Sequence, residues 1–493
     1  MLFAYTLLDY ATDYTFTVPA NSIKDLSGNK YAEAINISFT TEERTQPAPR
    51  LYDVVVAADG SGDYLTIQEA VDAAPASATE PYLIFVKAGK YYEHLAISKP
   101  YMHIIGQGRD VVDIYYNQLS GDTDNPEAVE PNAKPNSGMD GASVLVTAAN
   151  VMFEGVSLSN SWGRDFKVGP QALALRSNCD RFIINKVGLH SYQDTWLTTS
   201  TDNYRHYAKD SYITGAVDFI YGKGNVLFEN DTLDINRQDG GYITAAEHSA
   251  TTTWGYAFVN NYITSTSFDP SSVSVYFGRP WHNNPQVVFI NTTTAVNIYP
   301  EGWYKTMGGL PALYADYNTR DAAGNLVDTS KRQTTYYNST DTIKDVQVTL
   351  SDAEAASYTL KNMLTGSDAW NPALITTACA TPEVSASEGA LVWPAVPYAI
   401  CYVVENEAGE VAAITTERSY TPADADSKYT VRAANEFGGL SNKTVAVSLN
   451  SASGIDQVKA ATGAAGDCYD LLGRKANANG RGFMIVNGRK AFK

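Results

Sequence analysis

"VMFEGVSL" at 151, "RFIINKVGL" at 181, "HYAKDSYI" at 206, "VLFENDTLDI" at 226, "YAFVNNYIT" at 256 and "VVFINTTT" at 287 are variations on one phrase. In each, a short apolar strand runs into a small or polar corner, often Asn, and a second short strand follows. Aligned on Asn185, Lys209, Asn230, Asn260 and Asn291, the intervals are 24, 21, 30 and 31 residues. One such unit cannot bury its apolar face alone, whereas a stack of them can. The spacing predicts a parallel β-solenoid with loops of varied length. A large antiparallel β-sandwich is the alternative that short strands leave open.

An open solenoid end exposes unpaired strand edges and needs a cover. Thr66 and Glu69 form a capping-box pattern in front of "TIQEAVDAA", and Ile67, Ala70, Val71 and Ala74 make one apolar stripe. A short amphipathic helix is predicted there as the cap.

The same periodicity explains two carboxylates in apolar runs, where lone charges are costly. Asp194, in "SYQDTWL", and Asp218, in "GAVDFIYG", are 24 residues apart, about one coil. Gln171 precedes Gln193 by 22. Residues one period apart stack on neighbouring coils, so these four side chains are expected to converge on one surface patch. Two close carboxylates do not both ionise easily, so one pKa should rise while the other stays low. Taken alone, either Asp reads more simply as an Asx-turn former.

Length and texture set the surroundings. With 493 residues the chain is too long for one ordinary core. Residues 1–45 alternate apolar and polar around "DLSGNK" and resemble part of a bacterial Ig-like domain. Residues 46–50 read as a linker, and 51–375 as the solenoid block. Residues 376–450 have short alternating strands; Trp393, Tyr402 and "YTVRAANEFG" resemble a fibronectin type III domain. The tail, 451–493, resembles short C-terminal modules of surface and secreted proteins of Bacteroidetes-type bacteria.

A net charge of −18 argues against nucleic acid or an anionic membrane as partner. No run of 18 apolar residues signals a membrane span. "MLFAYTLLDYATDY" has no basic n-region and does not read as a signal peptide. Cys179, Cys379, Cys401 and Cys468 are scattered, with neither zinc-ligand spacing nor a disulfide framework. No GxSxG elbow favours a serine hydrolase.

"DGSGDYLTIQEAV" (59–71), "KAGKYYEHLAI" (87–97), "GQGRD" (106–110), "QALAL" (171–175), "YQDTWL", "VDFIYG" and "GRPW" (278–281) occur in order. Over residues 51 to about 375 this resembles the pectinesterases (pectin methylesterases), carbohydrate esterases on a right-handed parallel β-helix. The resemblance implies hydrolysis of the C6 methyl esters of homogalacturonan to pectate and methanol. It implies Asp218 as nucleophile, Asp194 as acid and base, and Gln171 and Gln193 as oxyanion donors. Arg279 would hold Asp218 ionised. Trp281, with Tyr192, Trp196 and Tyr221, would bind the sugars. It implies no cofactor or metal, a monomer, and an extracellular, surface or periplasmic place of work.

Departures from the family pattern are Trp196 for an aliphatic residue, Tyr221 for Phe, and Ala216 for Thr. None removes a catalytic group; Trp196 and Tyr221 are expected to reshape the groove. Two other readings share parts of the sequence. A pectate lyase or polygalacturonase would use the same solenoid, but the adjacent Asp pair, the Gly-His-Gly and a calcium-binding carboxylate cluster are not seen. A non-catalytic glycan-binding surface protein would explain the flanking modules.

Overall fold

In the computed structural model, the described residues are 8, 10–119 and 141–452, with the backbone of four short strands between 468 and 492. The chain forms two compact units, one comprising residues 1–47, 52–377 and 436–439, the other 48–51, 378–435 and 440–493.

Three long parallel sheets build the first unit, of ten, nine and eight strands. Each coil visits them in turn. Phe182–Asn185, Gly188–His190 and Trp196–Leu197 make one coil; Arg205–Lys209, Tyr212–Gly215 and Ile220–Gly222 make the next. Each strand pairs in parallel with its counterparts one coil before and after. This is a parallel β-helix, and the antiparallel sandwich is ruled out for this block.

The register explains how apolar residues at one-coil spacing become a core. Phe228, Phe258 and Phe289 are paired partners on successive coils. Their rings stack at 4.2 and 4.3 Å with interplanar angles of 7° and 3°. Offset stacking of this kind adds about 0.5–1.5 kcal/mol per pair beyond area burial.

The polar corners also follow the repeat, with one correction. Asn185 pairs with Lys209, but Lys209 pairs with Glu229, not Asn230. The corner residues in the left-handed region are Lys186, Asp210, Asn230, Asn260, Asn291 and Asn318, at φ 50–59°. The alignment therefore slips by one residue at its first two members. Asn tolerates this conformation best, and its side chains then reach along the stack. Asn318 donates to Asn291 Oδ1 at 2.8 Å, and Asn291 to Asn260 Oδ1 at 3.3 Å.

Helix Ile67–Ala73 carries the full capping box at Thr66 and Glu69 and buries Ile67, Ala70 and Val71. These side chains belong to the same core cluster as the first strands of the stack, so the predicted cap is present.

Near the N-terminus, Asp13–Val18 and Ile35–Thr40 pair as an antiparallel ribbon. In the second unit, Ser385–Ser387, Ala390–Val392 and Ser419–Tyr420 form one antiparallel sheet, and Val411–Thr415, Ala399–Asn406 and Tyr429–Asn435 another. Trp393 and Tyr402 meet edge to face at 5.3 Å in its core. This arrangement is compatible with a fibronectin type III-like domain. Of the predicted tail module, Cys468–Asp470, Lys475–Ala476, Phe483–Val486 and Arg489–Phe492 form an antiparallel sheet. The rest of 453–493, residues 1–7 and 9 of the Ig-like segment, and 120–140 lie outside the described residues. Among the described residues no helix is long and apolar enough to cross a membrane.

Candidate active site

Three successive corners between the nine-stranded and eight-stranded sheets carry the predicted polar residues. Gln171 lies just before Leu173–Ser177, Gln193 and Asp194 before Trp196–Leu197, and Asp218 before Ile220–Gly222. A parallel bridge joins Gln193 to Val217, so Asp194 stands opposite Asp218. The Asp194 amide donates to Val217 O at 3.1 Å, and Ala172 N–H to Gln193 O at 3.1 Å.

Both aspartates have left-handed backbone, φ 62° at Asp194 and 51° at Asp218. Asp is among the few residues that accept this region readily. The kink breaks the in-and-out alternation at each corner. Trp196 and Ile220 consequently face the core, whereas the carboxylates do not join it.

Arg279 follows strand Ser274–Gly278 and its amide donates to Thr244 O at 3.0 Å. Its guanidinium grips Asp218 with two bonds, Nε to Oδ1 at 2.8 Å and Nη2 to Oδ2 at 2.5 Å. The same guanidinium lies 4.4 Å from the centroid of the Tyr242 ring. Tyr242 stands on the next coil, two residues before Thr244, the partner of Ile220, and its amide donates to Ala216 O at 3.0 Å. Tyr276 pairs with Tyr242 in turn and stacks on Tyr299 at 4.1 Å. Tyr242, Tyr276 and Tyr299 thus form a run of rings along the helix axis beside the corner that bears Asp194 and Asp218.

Burial raises both carboxyls, and their charged neighbours separate them. Asp194 is pushed well above its ordinary pKa, first by burial and then by the negative charge of Asp218, against a smaller pull from Arg279. Asp218 is also raised by burial, but the bonds and charge of Arg279 oppose the rise. The expectation that the second carboxyl stays low is therefore corrected: Asp218 is only 6% exposed, and desolvation outweighs the guanidinium. The order is kept. Asp194 retains its proton to higher pH than Asp218, whose partner is a fixed cation.

The remaining predicted residues divide. Gln171, Gln193 and Tyr192 are half-buried at the corners. Gly169 leaves room for the Gln193 amide: a Cβ there would sit 3.0 Å from Gln193 Oε1. Trp281 is half-buried and meets Tyr221 edge to face at 5.5 Å, both on the site-bearing face. Tyr221 is raised well above its ordinary pKa, first by burial and then by the charge of the neighbouring Asp194.

Trp196 is not a groove residue. It is 0% exposed, pairs with the core residues Leu175 and Ile220, and donates its indole N–H to Ser177 Oγ at 2.9 Å. The left-handed residue at Asp194 is what turns it inward.

Tyr242 was missed, although it lies one coil after Asp218, at the 24-residue interval that separates the two aspartates. Among the described residues, no group of three His, Cys, Asp or Glu side chains is placed to hold a metal ion. A carboxylate fixed by a guanidinium, a carboxyl that keeps its proton and two nearby amides suit acyl transfer from an ester: nucleophile, acid and donors for a developing oxyanion.

Residues 53–367 match the family described as Pectinesterase, and residues 2–41 the bacterial Ig-like domain. A pectinesterase of Petunia integrifolia is 30% identical over 327 residues, 62% of this chain and 83% of that protein. The probable pectinesterase 56 of Arabidopsis thaliana is 32% identical over 260 residues, 51% of this chain and 84% of its own. Among solved structures, carrot pectin methylesterase matches with a TM-score of 0.53 at 26% identity, over 67% of this chain and 97% of that one. The pectin methylesterase PemA of Erwinia chrysanthemi matches with a TM-score of 0.52 at 25% identity, over 66% and 99%.

Proposed function

We propose, from the premise that this chain belongs to the pectinesterase family, that Asp218 is its nucleophile and Asp194 its acid and base. The protein is an esterase that removes methyl groups from pectin. The Asp218 carboxylate attacks the C6 ester carbonyl of a galacturonate unit. Amide N–H groups of Gln171 and Gln193 receive the oxyanion. Asp194 gives its proton to the methoxy oxygen as the C–O bond breaks, and methanol leaves. Asp194, now a carboxylate, takes a proton from water, which attacks the acyl carbonyl, frees the galacturonate and restores Asp218.

The observation that carries these roles is the two-bond grip of Arg279 on Asp218, with Asp194 opposite it on the preceding coil and raised by burial and by the Asp218 charge. Trp281 and Tyr192 bind sugar rings beside them. A solved relative, 25% identical, is a pectin methylesterase in complex with a hexasaccharide, which supports an extended polysaccharide groove. The column lies within one chain, which supports a monomer as the working unit, and a polysaccharide substrate supports work outside the cytoplasm. The division into 1–45, 51–375, 376–450 and 451–493 is part of the same proposal, supported by the Ig-like match over 2–41.

Methanol release from methylated pectin, with no new ultraviolet-absorbing unsaturated ends, is the test. Unsaturated ends without methanol would mean a lyase.

A further inference from the structure

Arg279 is held by two partners, and only one of them is Asp218. Its Nε and Nη2 donate to the two carboxylate oxygens, and among the described residues its guanidinium donates to no other group. The Arg279 side chain is 22% exposed, so these two bonds alone leave it a way out into solvent. The second partner is a ring. The guanidinium carbon lies over Tyr242, 4.4 Å from the centroid, whereas the other arginines over rings among the described residues stand at 5.4–5.9 Å.

Tyr242 is itself fixed. It lies in strand Gly241–Ala246, and its amide donates to Ala216 O at 3.0 Å, two residues before Asp218. Its ring stacks on that of its register partner Tyr276 at 5.6 Å and 18°, and meets Tyr304 edge to face at 5.5 Å and 66°. Tyr304 is anchored in turn by its amide, which donates to Gly278 O at 2.9 Å, next to Arg279.

We propose that Tyr242 is the positioning residue for Arg279: its ring face holds the guanidinium where it can give two bonds to Asp218, and goes on holding it while Asp218 is an acyl ester. This rests on Asp218 being the nucleophile. When an Asp218 oxygen bonds to C6 and methanol leaves with the Asp194 proton, the Asp218 carboxylate has become a neutral ester. The charge partner of Arg279 is then missing until water releases the galacturonate. A π face attracts a planar cation without being ionised, and burial raises the Tyr242 phenol above its ordinary pKa, so it stays neutral throughout. Tyr242 is therefore the partner that does not change during turnover, and the guanidinium is in place when the carboxylate returns.

The charged and titratable groups around this contact come from several coils. Arg279 faces Asp218, Tyr242 and Asp194. Asp218 also faces Asp194, Tyr242 and Tyr314. Tyr242 faces Arg279, Tyr304, Asp218, Arg237 and Tyr276. Of the two cations, Arg279 alone is hydrogen-bonded to Asp218, so a change of ring at 242 is read at Asp218 through Arg279.

The experiment is the pH–rate profile of the full chain on methylated pectin. Tyr242→Phe keeps the ring face and should leave the acidic limb where it is. Tyr242→Leu removes the face and loosens the guanidinium, so the pKa of Asp218 rises. The acidic limb should then move to higher pH by roughly 0.4–1.5 units, with KM close to wild type. Phenylalanines at position 242 carrying one, two and three fluorines keep the shape of the ring while draining its face of negative charge. Along that series the limb should climb step by step, which also decides the matter if Tyr242→Leu does not fold. A limb unmoved along the fluorinated series, with Asp218→Asn inactive, overturns the role of Tyr242 alone. A rise in KM with the limb unmoved makes the ring a binder of sugar and overturns it equally. Full turnover in Asp218→Asn overturns the nucleophile assignment, and the Tyr242 inference with it.

Discussion

Asp194 and Asp218 hold the same register position on successive coils, each on a left-handed residue, with φ of 62° and 51°. The β-helix places two carboxyls side by side without any long-range loop having to fold over. Only one of them has Arg279. In the proposed mechanism that single asymmetry divides two like residues into a nucleophile and an acid.

Arg279→Lys tests the asymmetry. The guanidinium pulls the Asp218 carboxyl down against burial, and activity needs that carboxyl ionised. An ammonium cannot make the two-bond grip, so the pKa should rise and the acidic limb of the pH–rate profile should move to higher pH. The two limbs belong to the coupled pair and not to single residues. A folded, active Arg279→Lys enzyme with an unmoved acidic limb would show that Arg279 does not set the charge of Asp218.

The oxyanion donors have their own expected magnitude. Gln193→Ala and Gln171→Ala should each lower kcat by roughly 10²–10³-fold, about 2.7–4 kcal/mol, with a much smaller change in KM. Steady-state kinetics on methylated pectin separate the two parameters. A change confined to KM would make these residues binders of the ground state.

Two tryptophans should part company. Trp196→Ala leaves a large void in the coil interior and should cost about 3–5 kcal/mol of stability, while Trp196→Phe should fold and leave KM close to wild type. Trp281→Ala should raise KM and leave the melting temperature within a few degrees. Urea unfolding beside KM measurements reads both, and the opposite pattern would return Trp196 to the groove.

The period made most of this site legible before any coordinates. Asp194 and Asp218 could be placed together from a 24-residue interval, and the cap helix from Thr66, Glu69 and one apolar stripe. Two things escaped. Trp196 could not be assigned a face, because alternation along a strand is reset by the left-handed residue at Asp194, and single-sequence patterns do not carry φ. Tyr242 escaped for the opposite reason: it stands at the expected interval but bears no charge to draw notice, and its place under Arg279 emerges only from the register. The slip between Lys209 and Asn230 has a simpler origin, since a corner residue need not be Asn when Asp210 can take the same conformation.

Acid should destabilise the β-helix through its buried histidines. Burial holds His206 at about 4 and His248 at about 3, whereas an unfolded histidine titrates near 6.5. The unfolded chain thus takes up protons first, so the contribution of each neutral imidazole is full above pH 6.5 and is lost as pH falls toward 4 and 3. For His206 the loss amounts to about 3 kcal/mol. Asp194, Asp218 and Asp231 oppose it: raised carboxyls bind their protons in the folded state first and add stability as pH falls. Urea midpoints measured between pH 7 and 4.5 should therefore change less unfavourably on acidification in His206→Phe than in the wild type. An unchanged slope in that variant would clear His206 of the effect.

Methanol release by Asp218→Asn, measured on methylated pectin beside the wild type, tests the nucleophile most directly. The amide keeps the shape and part of the Arg279 contact but has no nucleophilic oxygen. The expected result is a folded protein whose kcat has fallen by roughly 10³-fold or more. Near-wild-type methanol release from a folded Asp218→Asn enzyme would contradict the assignment.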